Sequence, residues 1–289
     1  MAMEDTDAAA AAGTLSLGGD LEVRRLGFGA MRLTGDGIWG PPDHPETAKA
    51  VLRRAVHLGV DFIDTADSYG PDVSEELIAE ALHPYPGGLA IATKGGLTRA
   101  GPGQWSADCR PEHLREACEG SLRRLRLERI DVYQLHTVDY NVPLEESVGA
   151  LVELRDEGKI AHIGLSNVNT EQLARAREIV PVVSVQNRYS IEDRDSDPVL
   201  QECEIQGIAF IPWFPLAAGG LASDGPISRV AQAHDATPFQ VAIAWLLARS
   251  PVMLPIPGTS SVEHLEQNVA AAGLRLAQEE FEELAAIGG

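Results

Sequence analysis

The chain alternates short apolar runs with longer amphipathic segments. The short runs resemble strands buried on both faces of a parallel sheet, and the longer segments repeat their apolar residues with helical spacing. Eight runs are predicted as strands: Leu26–Met31, Asp61–Ala66, Leu89–Lys94, Ile130–His136, Ile160–Asn167, Val182–Tyr189, Ile208–Leu216 and Met253–Thr259. The predicted helices are Glu46–Leu58, Ser74–Leu82, Pro111–Arg126, Leu144–Gly158, Glu171–Ile179, Pro198–Gly207, Pro238–Ala248, Ser261–Ala272 and Gln278–Ile287.

Eight strand–helix units predict an α/β fold of the (β/α)8, or TIM barrel, type. Alternating residues on both sides of Gly18-Gly19 predict an N-terminal β-hairpin within Thr14–Val23, and the last segment predicts an extra C-terminal helix. An open doubly wound sheet is the alternative. That fold would carry a glycine-rich phosphate loop after its first strand, where Gly27-Phe-Gly-Ala-Met31 offers two of the three glycines.

The domain organisation is predicted to be simple. Residues 1–13 are acidic and alanine-rich, lack the positive segment of a signal peptide, and are expected to form a disordered leader. Residues 14–289 are expected to form a single barrel domain, since barrels of this length are common as one domain.

Composition narrows the classes of partner. A formal net charge of −20 argues against nucleic acid and anionic membrane surfaces, because phosphate binding needs clustered Lys and Arg. No apolar run reaches the length of about 18 residues that spans a membrane. Three widely spaced cysteines indicate neither a disulfide framework nor a metal site, so a reducing, cytoplasmic location is expected. The sequence indicates no oligomeric state.

Polar residues stand where the predicted strands end. Asp64, Lys94 and His136 lie at or near the ends of three successive strands, and Tyr69 follows Asp64 closely. In a barrel, active-site residues lie at the carboxyl ends of strands. Each residue alone could be an ordinary strand-end or core residue, but together they predict one site.

These four side chains suit proton transfer. A free phenol has a pKa of about 10, which is high for donating a proton at neutral pH. An ammonium beside Tyr69 would lower that pKa, and a carboxylate would keep Lys94 charged and oriented. His136 would donate a hydrogen bond to a carbonyl oxygen.

The sequence resembles the aldo-keto reductase family from about residue 14 to the end. The resemblance rests on Gly27-Phe-Gly-Ala-Met31, on Ile256-Pro-Gly-Thr-Ser-Ser-Val-Glu-His-Leu-Glu-Gln-Asn268 and on the Asp, Tyr, Lys and His already named. It implies a (β/α)8 barrel, a nicotinamide cofactor and reversible carbonyl reduction with Tyr69 as proton donor. Gly37-Ile-Trp-Gly-Pro-Pro-Asp43, Ser68-Tyr-Gly-Pro-Asp72 and Trp213-Phe-Pro-Leu216 are most similar to the pyridoxal reductase branch, so pyridoxal to pyridoxine is one expected reaction.

The resemblance also implies cofactor contacts. Ser166, Asn167 and Gln186 are similar to residues that hold the nicotinamide carboxamide, and Trp213 takes the place of an aromatic ring stacked on the nicotinamide. The segment that includes Leu216 and Ala217–Gly220 is expected to surround the pyrophosphate. The remaining cofactor-binding predictions are Gly29, Ala30, Met31, Phe214, Pro215, Gly219, Gly258, Thr259, Ser260, His264, Gln267 and Asn268.

The last loop departs from the family pattern. Many relatives have a lysine and an arginine that bind the 2′-phosphate of NADPH, at positions that are Gly258 and His264 here. Thr259, Ser260 and Ser261 remain at a predicted helix N-terminus, which is a favourable site for an anion. NADPH is therefore the expected cofactor, and NADH is a weaker alternative.

The substrate is expected to be a small carbonyl or alcohol compound. Trp39, Tyr69, His136 and Phe214 are predicted to line its pocket, with Trp105 and Tyr140 as further aromatic candidates; loop packing is the alternative role of these aromatic residues. They favour a planar or ring-shaped substrate. One alternative function is an alcohol dehydrogenase that acts on a sugar, steroid or terpenoid ring. Another is a non-catalytic nicotinamide-binding regulatory subunit, although the intact set of four residues gives no sign of lost chemistry.

Overall fold

The computed structural model describes residues 7–214 and 225–288. Its centre is a parallel sheet of seven strands in the order β3-β4-β5-β8-β9-β10-β11. Two antiparallel hairpins, β1–β2 and β6–β7, lie outside that sheet. The strands are β1 Thr14–Leu17, β2 Leu21–Arg24, β3 Phe28–Gly29, β4 Phe62–Asp64, β5 Ala90–Gly95, β6 Leu97–Gly101, β7 Gln104–Ala107, β8 Ile130–Leu135, β9 Ile160–Ser166, β10 Ser184–Arg188 and β11 Ala209–Trp213.

Helices cover the outer face of the sheet, as the amphipathic segments predict. Tyr133 and Leu135 of β8 belong to the apolar layer between the sheet and the helices, whereas Val132 belongs to the core inside the barrel. This alternation is the period-two pattern of a strand. Within the described residues the helices are α1 Pro45–His57, α2 Val73–Leu82, α3 Pro111–Leu125, α4 Leu144–Asp156, α5 Thr170–Arg177, α6 Asp197–Gln206, α7 Pro226–Ala233, α8 Pro238–Arg249, α9 Val262–Ala270 and α10 Gln278–Ala285.

The predicted eighth strand, Met253–Thr259, does not form a regular strand. Pro255 and Pro257 carry no N–H and cannot donate to a ladder. The segment still joins the two edges of the sheet through backbone hydrogen bonds. Leu254 N donates to Phe210 O at 2.8 Å on the β11 side, and Gly27 N donates to Pro255 O at 2.9 Å on the β3 side. The sheet therefore curls into the predicted barrel.

The first barrel strand is shorter than the predicted Leu26–Met31. It comprises Phe28–Gly29 and gives way to a 3₁₀ turn over Ala30–Leu33. A Cβ atom on Gly29 would lie 2.6 Å from the carbonyl oxygen of Ile256. Glycine thus allows the first strand and the closing segment to approach at the carboxyl edge.

The N-terminal region differs from one expectation and confirms another. The disorder predicted for residues 1–13 is wrong for Ala8–Ala12, which form a 3₁₀ helix; residues 1–6 lie outside the described part of the chain. Alanine side chains are small, so this 3₁₀ helix can pack closely against the barrel. Ala9 is fully buried against the apolar layer between the sheet and α1. The predicted hairpin is confirmed as β1–β2, and its Leu17 and Val23 fill one end of the barrel core.

The predicted C-terminal helix is confirmed as α10, whereas one α-helix and one β-hairpin were not predicted. The helix is α7, and the hairpin is β6–β7, which follows β5 directly and has a register shift between Arg99 and Gly101. Within 7–214 and 225–288, no helix has the length and apolar character needed to cross a bilayer.

Candidate active site

The carboxyl ends of neighbouring barrel strands bring the predicted polar residues together. Asp64 ends β4, and Lys94 lies near the end of β5, the adjacent strand. Lys94 Nζ donates to Asp64 Oδ2 at 2.7 Å and to the Thr65 carbonyl at 2.8 Å, and it lies 3.5 Å from the Tyr69 hydroxyl. Lys94 is fully buried and Asp64 nearly so. The ammonium is therefore held between a carboxylate and a phenol.

Two glutamine amides hold the other carboxylate oxygen. Gln134 Nε2 and Gln186 Nε2 donate to Asp64 Oδ1 at 3.0 and 2.8 Å. The sequence suggested a place beside the cofactor amide for Gln186, and the structure adds this bond to the carboxylate. Gln134 was missed, although it is a buried polar residue two positions before His136. The two amides fix the orientation of Asp64.

The pKa of Tyr69 differs from the expectation. Burial raises it, and the attraction of Lys94 for the phenolate opposes this increase without overcoming it. The phenol therefore stays protonated at neutral pH. Burial also lowers the pKa of Lys94, but attraction to Asp64 and Tyr69 outweighs that effect and the net pKa is raised. Lys94 is therefore charged at neutral pH.

His136 completes the set of four. Its ring lies edge-on to the Tyr69 ring with centroids 5.8 Å apart, and its Nδ1 lies 3.3 Å from the Ser68 hydroxyl. Burial and the nearby charge of Lys94 lower the pKa of His136 well below its usual value. The imidazole is therefore neutral, and it has one N–H to donate.

A second polar group lies at the ends of β9 and β11. Asn167 adopts a left-handed backbone conformation with φ of 58°, and its Nδ2 donates to Ser166 Oγ and to the His136 carbonyl, both at 3.0 Å. Trp213 Nε1 donates to Asn167 Oδ1 at 3.0 Å. The side-chain amide of Asn167 thus links Ser166, its partner in the predicted carboxamide-binding pair, to Trp213, the predicted stacking ring.

A cavity of about 630 Å³ opens at this edge of the barrel. Its size falls within the range of small-molecule sites. Predicted residues that line it are Gly29, Met31, Asp64, Tyr69, Gln186, Trp213, Phe214, Gly258, Thr259, His264, Gln267 and Asn268. Residues that line it but were not predicted are Arg32, Thr237, Pro238, Phe239 and Ile256.

Some predicted residues lie outside this lining. Ala30 is buried, and its carbonyl accepts from Ser74 Oγ at 3.4 Å, while Ser260 is exposed. Ser166, Asn167, Trp39 and His136 do not line the cavity either. Tyr140 is 90% exposed, so it is a surface loop residue. Pro215, Leu216 and Gly219, like the loop Ala217–Gly220, lie outside the described residues.

The closing segment ends at the N-terminus of α9. Ser261 caps this helix by accepting from His264 N, and Thr259 Oγ1 accepts from Ser261 N at 3.1 Å. A Cβ atom on Gly258 would lie 2.4 Å from the Gly29 carbonyl oxygen. The backbone therefore leaves no room for a lysine at position 258 without a shift.

Arg32 stands beside that glycine. Its Cγ atom would lie 3.7 Å from a Cβ atom on Gly258, and the exposed side chain lines the cavity. It forms no ion pair with any residue of the described ranges. A cationic side chain directly after the predicted first strand, Leu26–Met31, is the sequence signal that could have identified Arg32.

Comparisons with known proteins agree with this geometry. The family model described as "Aldo/keto reductase family" matches residues 25–288. The chain is 50% identical over 277 residues to an uncharacterised oxidoreductase of Schizosaccharomyces pombe, covering 96% of this chain and 90% of that protein. It is 45% identical over 267 residues to pyridoxine 4-dehydrogenase of Escherichia coli K12, covering 90% and 93%.

A solved structure extends the comparison to three dimensions. The aldo/keto reductase from Klebsiella pneumoniae in complex with NADP and acetate is 29% identical, with a TM-score of 0.79 and coverage of 94% of this chain and 93% of that one. The family model alone spans most of the present chain. The chain therefore belongs to the aldo/keto reductase family and is an NAD(P)H-dependent enzyme.

Proposed function

We propose that the protein reversibly reduces an aldehyde or ketone to an alcohol with NADPH, and that Tyr69 is the proton donor. The observation that carries this proposal is the buried contact of Lys94 with Asp64 and Tyr69 at the wall of the cavity. The E. coli relative named pyridoxine 4-dehydrogenase and the NADP complex of the Klebsiella relative support it.

Each of the four central residues would have a separate role in the reaction. Tyr69 would supply the proton to the carbonyl oxygen, and a bound nicotinamide cofactor would provide the hydride for the carbonyl carbon. Lys94 stabilises the phenolate that remains after the transfer, and Asp64 keeps Lys94 in place. If Ser68 donates to Nδ1 of neutral His136, then Nε2–H is free to bind the carbonyl oxygen.

Residues in and beside the cavity suit an extended dinucleotide. Ser166 and Asn167 offer a hydroxyl and an amide for the carboxamide, and Trp213 offers an aromatic face. The α9 N-terminus offers backbone N–H groups and hydroxyls for a phosphate. Because Trp213 is hydrogen bonded to Asn167, stacking and amide recognition are expected to depend on each other.

Binding of reduced cofactor should quench tryptophan fluorescence, mainly through Trp213. We expect most of the quench to disappear in Trp213→Leu, since the ring lines the cavity. A fluorescence titration measures this, with Trp105→Leu as the matched control, because Trp105 does not line the cavity. An undiminished quench in the Trp213 variant would show that another tryptophan contacts the nicotinamide.

NADPH is the proposed cofactor because Arg32 places a cation beside Gly258, the position at which many relatives have a lysine. Arg32 and the α9 N-terminus line one cavity, so a 2′-phosphate would meet a guanidinium and backbone donors. A helix terminus contributes about 0.3–1 kcal/mol. Charge-assisted hydrogen bonds contribute about 1.5–3 kcal/mol. A preference for NADPH over NADH of tens- to a few hundred-fold is expected, because about 1.4 kcal/mol is tenfold in affinity.

Replacing Arg32 should reduce that preference. We expect Arg32→Gln to weaken NADPH binding by about tenfold or more while NADH binding changes little, since only NADPH carries the 2′-phosphate. Dissociation constants of both cofactors measure this, with His264→Ala as a second variant. Equal weakening of both cofactors would assign Arg32 to the pyrophosphate, and equal wild-type affinities would contradict the NADPH preference.

Pyridoxal is the proposed substrate within this reaction class, because the relative named pyridoxine 4-dehydrogenase covers nearly the whole chain. A panel that contains pyridoxal, sugar aldehydes and ring ketones, assayed in both directions, tests this assignment. Highest kcat/KM for a sugar, steroid or terpenoid ring alcohol would favour the alternative dehydrogenase. Cofactor binding without turnover of any compound would favour the non-catalytic subunit.

A further inference from the structure

Arg99, on the unpredicted hairpin β6–β7, lies between two tryptophan rings. Its guanidinium carbon is 3.7 Å from the centroid of the Trp105 ring and 5.6 Å from that of Trp39. Contacts of this kind are favourable because the ring face attracts the cation. The three residues, Trp39, Arg99 and Trp105, are called the tryptophan–arginine stack below.

Backbone carbonyls from separate segments fix the guanidinium in the stack. Arg99 Nη1 donates to Ile38 O at 2.9 Å and to Ser68 O at 3.2 Å. Its Nη2 donates to Gly37 O at 3.0 Å. One side chain thus joins the loop after the first barrel strand, the loop after β4 and the β6–β7 hairpin. Both terminal nitrogens of the planar guanidinium take part, whereas lysine has a single nitrogen and cannot reproduce this geometry.

The stack adjoins the four proposed catalytic residues. The ring centroids of Trp105 and His136 are 6.5 Å apart, and Trp39 pairs with Gly70, the residue after Tyr69, through a backbone bridge. The same Ser68 that accepts from Arg99 through its carbonyl contacts His136 through its hydroxyl. The stack therefore lies on the His136 side of Tyr69, and neither tryptophan lines the cavity proposed to hold the cofactor.

We propose that Arg99 is a specificity-determining residue that holds Trp39 and Trp105 as an aromatic wall for flat ring aldehydes. This inference rests on the proposed carbonyl reductase function. A flat ring in contact with a fixed indole gains an aromatic interaction that an open-chain or puckered substrate cannot make equally well. Arg99 acts through the tryptophans and takes no part in proton transfer, so it should affect KM more than kcat.

The test compares benzaldehyde, cyclohexanecarbaldehyde and butanal as substrates with saturating NADPH. Arg99→Leu and Trp105→Leu should each lower kcat/KM for benzaldehyde by about tenfold, mainly through KM, as loss of an aromatic contact implies. The two other aldehydes should change by less than about twofold under the same argument. NADPH affinity should stay unchanged in both variants, which separates this effect from loss of the fold.

Three further variants sharpen the result. Arg99→Lys should behave like Arg99→Leu, because the charge is kept but the planar fork is lost. The double variant Arg99→Leu/Trp105→Leu should be no worse than either single variant, because both changes remove one wall. Arg110→Leu is the matched control, since Arg110 is exposed and pairs with Asp108; it should leave all three substrates unaffected.

Two outcomes would overturn the proposal. One is an equal loss for all three aldehydes in Arg99→Leu, which would indicate general disruption of the site. The other is restored benzaldehyde kcat/KM in Arg99→Lys, which would assign the effect to charge alone. Wild-type protein that binds NADPH but reduces neither these three aldehydes nor pyridoxal would contradict the proposed function itself.

Discussion

Tyr69→Phe should lower turnover by about 10²–10⁴, the usual contribution of a positioned general acid. The substitution removes one oxygen atom from a buried ring, and the only hydrogen-bonding neighbour of that oxygen in the described residues is Lys94, at 3.5 Å. Fold and cofactor affinity should therefore survive. Steady-state kinetics with saturating NADPH, together with a cofactor titration, measure both quantities.

Tyr140→Phe is the matched control for that experiment. Tyr140 is 90% exposed and makes none of the contacts described for the site, so the same chemical change there should leave turnover unaffected. If folded Tyr69→Phe, saturated with cofactor, keeps wild-type turnover, then Tyr69 is not the proton donor.

Lys94→Met should damage both turnover and stability. The turnover should fall about as far as in Tyr69→Phe, because the phenolate formed by proton transfer loses its neighbouring cation. The buried Asp64 carboxylate would also lose its charge partner, and breaking a buried pair in this way costs about 3–5 kcal/mol. Thermal or denaturant unfolding measures that loss. Lys159→Met, which removes a surface cation paired with Glu119, should change stability by less than about 1 kcal/mol.

Lys94→Met should also shift the dependence of activity on pH. Reduction needs protonated Tyr69, so its rate should be lost as pH rises through the raised pKa of that phenol, whereas alcohol oxidation should increase over the same interval. Lys94 lowers that pKa in the wild type. Its removal should therefore move residual activity profiles to higher pH. An unshifted profile in Lys94→Met would contradict the proposed influence of Lys94 on the phenol.

The sequence was sufficient to predict the barrel and the meeting of the four central residues. Apolar runs report burial on both faces, and the carboxyl ends of parallel strands necessarily meet at one edge. Asp64, Lys94 and His136 could therefore be placed at one edge without coordinates. Tyr69 followed because it lies only five positions after Asp64.

The remaining features depended on distances that a sequence pattern does not encode. The closing segment is apolar like a strand, but Pro255 and Pro257 cannot donate backbone hydrogen bonds to a sheet. The sequence therefore predicts more regular strand there than the structure contains. Gln134 and Arg99 act through partners distant in sequence, and neither type of residue is unusual in a strand. The net pKa of Tyr69 depended on a balance between burial and one charge, which only the folded geometry determines.

The central claim is that a carbonyl group is reduced by cofactor hydride and by a proton from Tyr69. The most direct measurement follows NADPH consumption and alcohol formation together, with pyridoxal and benzaldehyde as substrates, in wild type and Tyr69→Phe. We predict one alcohol formed per NADPH consumed in the wild type. The variant should bind NADPH with wild-type affinity but form alcohol about 10²–10⁴ times more slowly. Equal alcohol formation by both proteins, or NADPH binding by the wild type without any alcohol from either substrate, would contradict this account.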